Sequence, residues 1–188
     1  MALTTLDPVV ALVVIDLQKG IVAVPTEPIA SDVVVSRATA LAEAFRGAGQ
    51  PVVIVNVAGA PAGRNEAPKP PAPPADWAEL VPGLAQPGDH RVTKRTWGAF
   101  TGTNLADWLN ARGATQVVLC GISTSIGVES TARQAHELGL NVVLVVDAMA
   151  DRFGDGHARS LQRIFPRLGE TATTEEIVAR LAAREPIP

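Results

Sequence analysis

Three places in this chain carry residues that could do chemistry. Asp16 ends the apolar run "VVID". Lys94 ends the short run "RVTK". The stretch "GISTSIG", residues 121–127, follows the apolar run "QVVLC" and leads into a helical pattern. A strand end, a tight turn and a helix start is where many α/β hydrolytic enzymes present a nucleophile. Brought together, a carboxylate, an ammonium and a helix N-terminus would make a site for proton transfer beside a fixed positive charge. Each signal alone has a plainer reading. Asp after an apolar strand is often a cap or turn residue, a lone Lys at a strand end is usually solvated, and glycines in 121–127 permit a tight turn.

The elements that must position them are legible as patterns. Residues 9–16, 51–57, 116–121 and 141–147 are short, apolar and β-branched without strict alternation, so each is expected to be covered on both faces. Two weaker strands are expected at 91–94 and near Thr171. Between them lie helical patterns. The first, 31–49, has Ser31 or Asp32 as N-cap and Gly47 or Gly49 as stop. The second, 103–114, has Thr103 as N-cap, an apolar face of Leu105, Trp108 and Leu109, and Gly113 as its end. Others run from Ser125 to Leu138 with a stop at Gly139, over 155–165, and over 173–184, where Thr173 and Glu176 form a capping box. Strands alternating with helices predict an α/β fold, a parallel sheet wrapped on both sides, in one domain over 1–188. In such sheets ligands bind beyond the carboxyl ends of the strands. One stretch breaks the pattern: 58–77 is crowded with Pro and Gly, and reads either as a surface excursion or as an active-site cover.

Composition narrows the function classes. The chain has 188 residues, 47% of them apolar, a formal net charge of −3 and no evident Lys/Arg cluster, which argues against a nucleic-acid or anionic-membrane partner. The single cysteine, Cys120, rules out an intrachain disulfide and fits a reducing compartment. The start, "MALTTLDPVV", lacks the basic region of a signal peptide, and no apolar run reaches roughly 18 residues, so a cytoplasmic protein is expected. No G-x-G-x-x-G or Walker pattern is present, so no nucleotide cofactor is implied. His90, His136 and His157 are isolated, without ligand spacing, and no metal is expected.

Four stretches taken together carry a family likeness: "VVIDLQKG", "TKRTWGAFTGTNL", "GISTSIGVESTARQAHELG" and "VVLVVDAMADR". From about residue 9 to 175 the chain resembles the isochorismatase-like hydrolases, a family of nicotinamidases, carbamoylamidases and true isochorismatases. The likeness implies a three-layer αβα fold with a six-stranded, mostly parallel sheet, and a homodimer or homotetramer. Cysteine-using members carry an Asp–Lys–Cys triad. Asp16 and Lys94 match its first two members, and Gly127 stands where Cys belongs in the pattern G-[IV]-x-T-x-x-C-V-x-x-T-A. Amide hydrolysis through an acyl-enzyme needs that thiolate. Cys120, seven residues earlier in a strand, reads as a core residue.

True isochorismatases also have Gly at this position. Hydrolysis of a vinyl ether needs a general acid and no nucleophilic side chain, and Asp16 is the candidate, provided burial keeps it protonated against the pull of Lys94. The turn itself reads "GISTSIG", where isochorismatases resemble G-V-Y-A-H-[IV]-G. Gly121, Ile126 and Gly127 match, while Ser123 and Ser125 replace Tyr and His. The following "VESTARQA" is amidase-like. The expected function is hydrolysis of a small molecule without a cysteine nucleophile. The alternatives are a pseudoenzyme of the same fold that binds a ligand or partner, and an amidase-like hydrolase by an unorthodox route. Catalysis is expected from Asp16, Lys94 and Gly127, and substrate contacts from Gln18, Trp97, Phe100, Ser123, Thr124, Ser125 and Ile126. The backbone N–H groups of 123–127 would hold a substrate carboxylate, and the missing Cys side chain would leave room for a larger ligand. Gln18 completes the family's D-x-Q, in the site or stabilising the turn. Trp97 and Phe100 wall an aromatic pocket or pack. Arg64 could reach a substrate anion. Arg133 and Asp147 stabilise helix and strand ends. The zinc-dependent relatives' Asp-x-His has no counterpart in "NVAGAPAGRNE".

Overall fold

A computed structural model describes residues 3–68 and 71–184 of the chain. Six strands form one sheet: β1 (Val10–Ile15), β2 (Val52–Val57), β3 (His90–Lys94), β4 (Gln116–Ile122), β5 (Asn141–Ala150) and β6 (Glu170–Ala172). Their order is β3-β2-β1-β4-β5-β6, and every pairing is parallel. The chain winds outward in one direction from β1 and in the other from β4. The crevice between those two strands is therefore the topological switch point, where sheets of this kind bind ligands.

The helices cover both faces and complete three layers. Lys19–Val22 (α1) is a single turn, and Ser31–Gly47 (α2) and Thr174–Ala182 (α7) pack on one face. Leu105–Asn110 (α3), Glu129–Glu137 (α4) and Phe165–Leu168 (α6) pack on the other, and Gly154–Arg159 (α5) lies at the carboxyl end. All residues of β1 and β4 are buried. Alternate side chains divide between two cores: Val10, Leu12 and Val14 go with Leu41, Phe45 and Ile177, and Ala11, Val13 and Ile15 go with Leu105, Leu109 and Ala132. Two apolar faces are why these strands read as continuous apolar runs.

The local differences from the sequence reading have physical causes. The N-cap of α2 is Ala30, not Ser31 or Asp32; Ser31 Oγ donates instead to the Val22 carbonyl at 2.7 Å. The helix α3 begins at Leu105 after Asn104, with Thr103 Oγ1 accepting from the Leu105 N–H at 3.3 Å, and ends at Asn110. The stretch 124–128 is a wide π-helical turn before α4, and a second π turn, Ser160–Ile164, interrupts the helix expected at 155–165. Strand β5 runs on past Asp147 to Ala150 through a register shift against β4. Asp147 lies within that irregularity, and its Oδ1 accepts from the N–H (2.7 Å) and hydroxyl (3.0 Å) of Thr174, fixing the first turn of α7. The capping box of Thr173 and Glu176 is formed.

At the switch point the two central strands approach unusually closely. Gly121 has φ +122°, and a Cβ there would stand 2.1 Å from the Ile15 carbonyl oxygen. Gly121→Ala is expected to destabilise the fold by about 3 kcal/mol or more, from overpacking against backbone plus a strained φ. Gly47→Ala, with nothing within 4 Å of the added carbon, is the neutral comparison. Urea unfolding of both variants checks this.

Candidate active site

Asp16 is the first residue beyond β1, with φ +54°. Such a conformation in a non-glycine residue persists only where neighbours hold it. Here its N–H donates to the Val55 carbonyl, and its carbonyl accepts from the Gln18 N–H, both at 2.9 Å. Lys94 ends β3, two strands away, a span of roughly 10 Å. Its long side chain crosses that span fully buried and brings Nζ within 2.9 Å of Asp16 Oδ2. Nζ also donates to the Trp97 carbonyl at 2.5 Å.

Gly127 closes the third side. A Cβ built on it would lie 2.9 Å from Ile15 Cγ2, 3.1 Å from Asp16 Oδ2 and 3.3 Å from Lys94 Nζ. The three positions singled out in the sequence therefore converge, though 111 residues separate the outer two. The glycine leaves no spare volume, contrary to the expectation of room for a larger ligand. Asp16, Lys94 and Ile15 crowd the place where a side chain at 127 would begin.

The electrostatics of Asp16 are set by two opposing effects. Burial pushes its pKa up, while the charge and hydrogen bond of Lys94 pull it down; burial wins, and the pKa rises from 3.8 to about 6. Only one carboxyl oxygen is satisfied. Asp16 Oδ1 is buried and has no hydrogen-bond partner among the described residues. Such an atom is costly to leave bare.

The turn after β4 is held from within. The Ser123 carbonyl accepts from the N–H groups of Ile126 (3.2 Å) and Val128 (3.1 Å), and the Ser125 N–H donates to Asp151 Oδ2 at 2.6 Å. Thr124 is fully buried with Oγ1 2.8 Å from His157 Nδ1. The amides of Ser125 and Ile126, expected to hold a substrate carboxylate, are thus engaged by the protein.

Three other candidate residues have their places fixed by the fold. Gln18 is not aimed at the site. Its Nε2 donates to the carbonyls of Val57 and Trp77 and its Oε1 accepts from the Val57 N–H, so it has the turn-stabilising role of its two readings. Phe100 packs in the core with Leu105 and Ala132, and its N–H donates to Gln134 Oε1 at 3.0 Å. Trp97 meets the site through its carbonyl, while 64% of the residue is exposed. Cys120 lies in the core on the opposite face of the sheet from Ile15 and Val128, its thiol pushed up to about 12 by burial. Arg64 is exposed, and Arg133 pairs with Glu129 one turn earlier in α4 at 2.8 Å.

The excursion after β2 starts and ends at this site. The Ala58 N–H donates to the Lys94 carbonyl, and the Trp77 and Glu79 carbonyls accept from the N–H groups of Gly20 and Lys19. The indole of Trp77 lies where a Cβ on Gly20 would be. Residues 59–68 and 71–76 are exposed. Asp151 and His157 were not singled out as site residues. Asp151 follows β5 as Asp16 follows β1, but the sequence pattern ends that strand at 147, and only the extension of β5 to Ala150 reveals the likeness.

Residues 10–176 match the isochorismatase domain. The chain belongs to the isochorismatase family. It is 46% identical over 180 residues to an uncharacterized isochorismatase family protein of Bacillus subtilis, YwoC, covering 91% of this chain and 93% of that one. A similar protein of Escherichia coli O157:H7, YecD, is also 46% identical over 180 residues, 91% of this chain and 95% of that protein. The solved structure of an isochorismatase family protein from Burkholderia thailandensis superposes with a TM-score of 0.90 at 44% identity, covering 95% of this chain and 98% of that one. The chain is thus an isochorismatase-family hydrolase with that family's fold. Among the described residues no helix is long and apolar enough to cross a membrane, and no cluster of three or more His, Cys, Asp or Glu side chains could hold a metal ion.

Two outcomes follow from the site geometry. Gly127→Ala is expected to separate Asp16 from Lys94 and to destabilise the protein by about 1–3 kcal/mol, measured by chemical unfolding. The raised pKa of Asp16 also fixes a sign. Between about pH 4 and pH 6 the unfolded chain releases this proton while the folded chain keeps it, so stability falls as pH rises through that window. The loss amounts to about 3 kcal/mol. Unfolding free energies of wild type and Asp16→Asn, compared at pH 3 and pH 8, should differ in pH dependence by that amount.

Proposed function

We propose that this protein hydrolyses a small enol ether, or a similarly activated small molecule, without a cysteine nucleophile, with Asp16 as general acid and Lys94 as its partner. Gly127 stands in for the family's Cys in this reading. The observation that carries it is the state of the Asp16 carboxyl group. Oδ2 accepts from Lys94, so a proton on this group belongs on Oδ1, the buried oxygen that lacks a protein partner. A pKa near 6 keeps a useful fraction protonated near neutrality while leaving the group acidic enough to give the proton up.

The chemistry then runs as follows. Oδ1–H protonates the terminal alkene carbon, the C=C π bond breaks, and an oxocarbenium forms. Lys94, 2.9 Å from Oδ2, stabilises the carboxylate left behind. Water adds to the cationic carbon and its proton returns to Asp16, so the acid is regenerated. The hemiketal then collapses to a carbonyl compound and an alcohol. Nothing in this sequence requires a side chain at residue 127. Cys120 supports the same reading by its position, buried behind the sheet with a thiol that stays protonated.

The test is a panel of enol ethers and primary amides assayed with wild type, Asp16→Asn and Cys120→Ala. Asp16→Asn is expected to lose roughly 10²–10⁴ in kcat on an enol ether. Cys120→Ala and thiol-alkylated protein should keep full activity, and wild-type activity should decline as pH rises past about 6, where the acid is lost. Full turnover in Asp16→Asn would overturn the reading. A ligand that raises the Tm of wild type but is never turned over would point to a binding protein instead.

A further inference from the structure

Asp151 is the most heavily engaged acidic residue near the site, and the chemistry above does not use it. It is fully buried at the end of β5. Its Oδ2 accepts from the Ser125 N–H at 2.6 Å and its Oδ1 from the Phe153 N–H at 3.2 Å. Its own N–H and carbonyl are exchanged with Glu27 in a two-bond antiparallel bridge, at 2.7 and 2.8 Å. Among the described residues no Lys or Arg pairs with it. A buried carboxylate compensated by backbone N–H groups alone holds those groups firmly.

One of them belongs to the turn that presents Gly127, two residues further on. That turn is gripped a second time by His157, which feels the charge of Asp151 and whose ring binds Thr124 Oγ1. Gly127 in turn sits beside the Asp16–Lys94 pair, so close that a Cβ on it would stand 3.1 Å from Asp16 Oδ2 and 3.3 Å from Lys94 Nζ. The line from Asp151 to the acid therefore has a single hydrogen bond as its first link.

We infer that Asp151 is a positioning residue: by holding the Ser125 N–H it keeps the Gly127 backbone seated against Asp16 and Lys94 and keeps water away from them. Its carboxylate also occupies, from inside the protein, an amide that a ligand anion would otherwise take.

The inference rests on the reading of Asp16 as acid only where catalysis is concerned, so the test uses two readouts that need no substrate. One is the titration midpoint of Asp16, followed by carboxyl carbon-13 NMR. The other is the amide resonance of Gly127. In Asp151→Ala the midpoint should fall by roughly one pH unit as water reaches the carboxyl group, and the Gly127 amide should shift. In Asp151→Asn, which keeps an oxygen for the Ser125 N–H, both should stay close to wild type. Folded Asp151→Ala with both readouts unchanged would overturn the inference, and so would Asp151→Asn behaving like Asp151→Ala. If Asp151→Ala does not fold, Ser125→Pro removes the same bond from the donor side at a helix-start position that tolerates proline. It must reproduce both shifts, and unchanged readouts there overturn the inference equally. A wild-type midpoint near 4 would defeat the general-acid reading of Asp16 and leave the Gly127 resonance to judge Asp151.

Discussion

The site depends on one buried ion pair in which Lys94 holds one oxygen of the Asp16 carboxyl group and, among the described residues, none holds the other. Lys94 reaches across two strands to Asp16, and both side chains are almost wholly removed from solvent. Desolvation penalises the carboxylate more than the ammonium relieves it, so the carboxyl group rests close to half protonated near pH 6. Remove Lys94 and the acid would become too weak to release its proton readily; expose the pair and the acid would be lost at neutral pH. The chemistry proposed for the site is set by that balance.

Holding such a pair requires close backbone approach, and the glycines provide it. Gly121 lets β4 pass the end of β1 with no Cβ between them, and Gly127 lets the following turn rest on the side chains of Ile15, Asp16 and Lys94. The two glycines differ in what they permit. At Gly121 the obstacle is backbone and φ is positive, so no other residue fits. At Gly127 the obstacles are side chains, and one of them is the acid itself. A side chain at 127 would therefore press on the Asp16–Lys94 pair as well as on the core residue Ile15.

The surroundings act as a set of clamps on backbone rather than as a ligand-binding surface of polar side chains. Gln18 fastens β2 and the returning excursion beside Asp16. Asp151 and His157 fasten the turn beside Gly127. Several polar residues near the site thus turn out to be satisfied by the protein, and Asp16 Oδ1 stands apart as the atom that is not. Buried polar groups with complete partners rigidify a site, and the one without a partner is the oxygen to which the proposed chemistry assigns the proton.

Sequence alone determined the strands, the alternation of helix and strand, and the carboxyl-end location of Asp16, Lys94 and the 121–127 turn. Those follow from local facts: β-branched apolar runs, capping residues and the position of a polar residue at the end of a strand. The family likeness narrowed the chemistry to hydrolysis and placed Gly127 where a nucleophile would stand. The partnerships were decided only in three dimensions. Gln18 and Phe100 have the residue types of site groups, yet their hydrogen bonds and packing are used up by segments distant in sequence. Asp151 follows its strand as Asp16 does only because β5 runs past 147, and nothing local says that one accepts two amides while the other keeps a bare oxygen. That difference, like the outcome of burial against the pull of Lys94, comes from which groups the fold brings within about 3 Å. Residue order does not encode that distance locally, because hydrogen bonding and desolvation depend on neighbours in space.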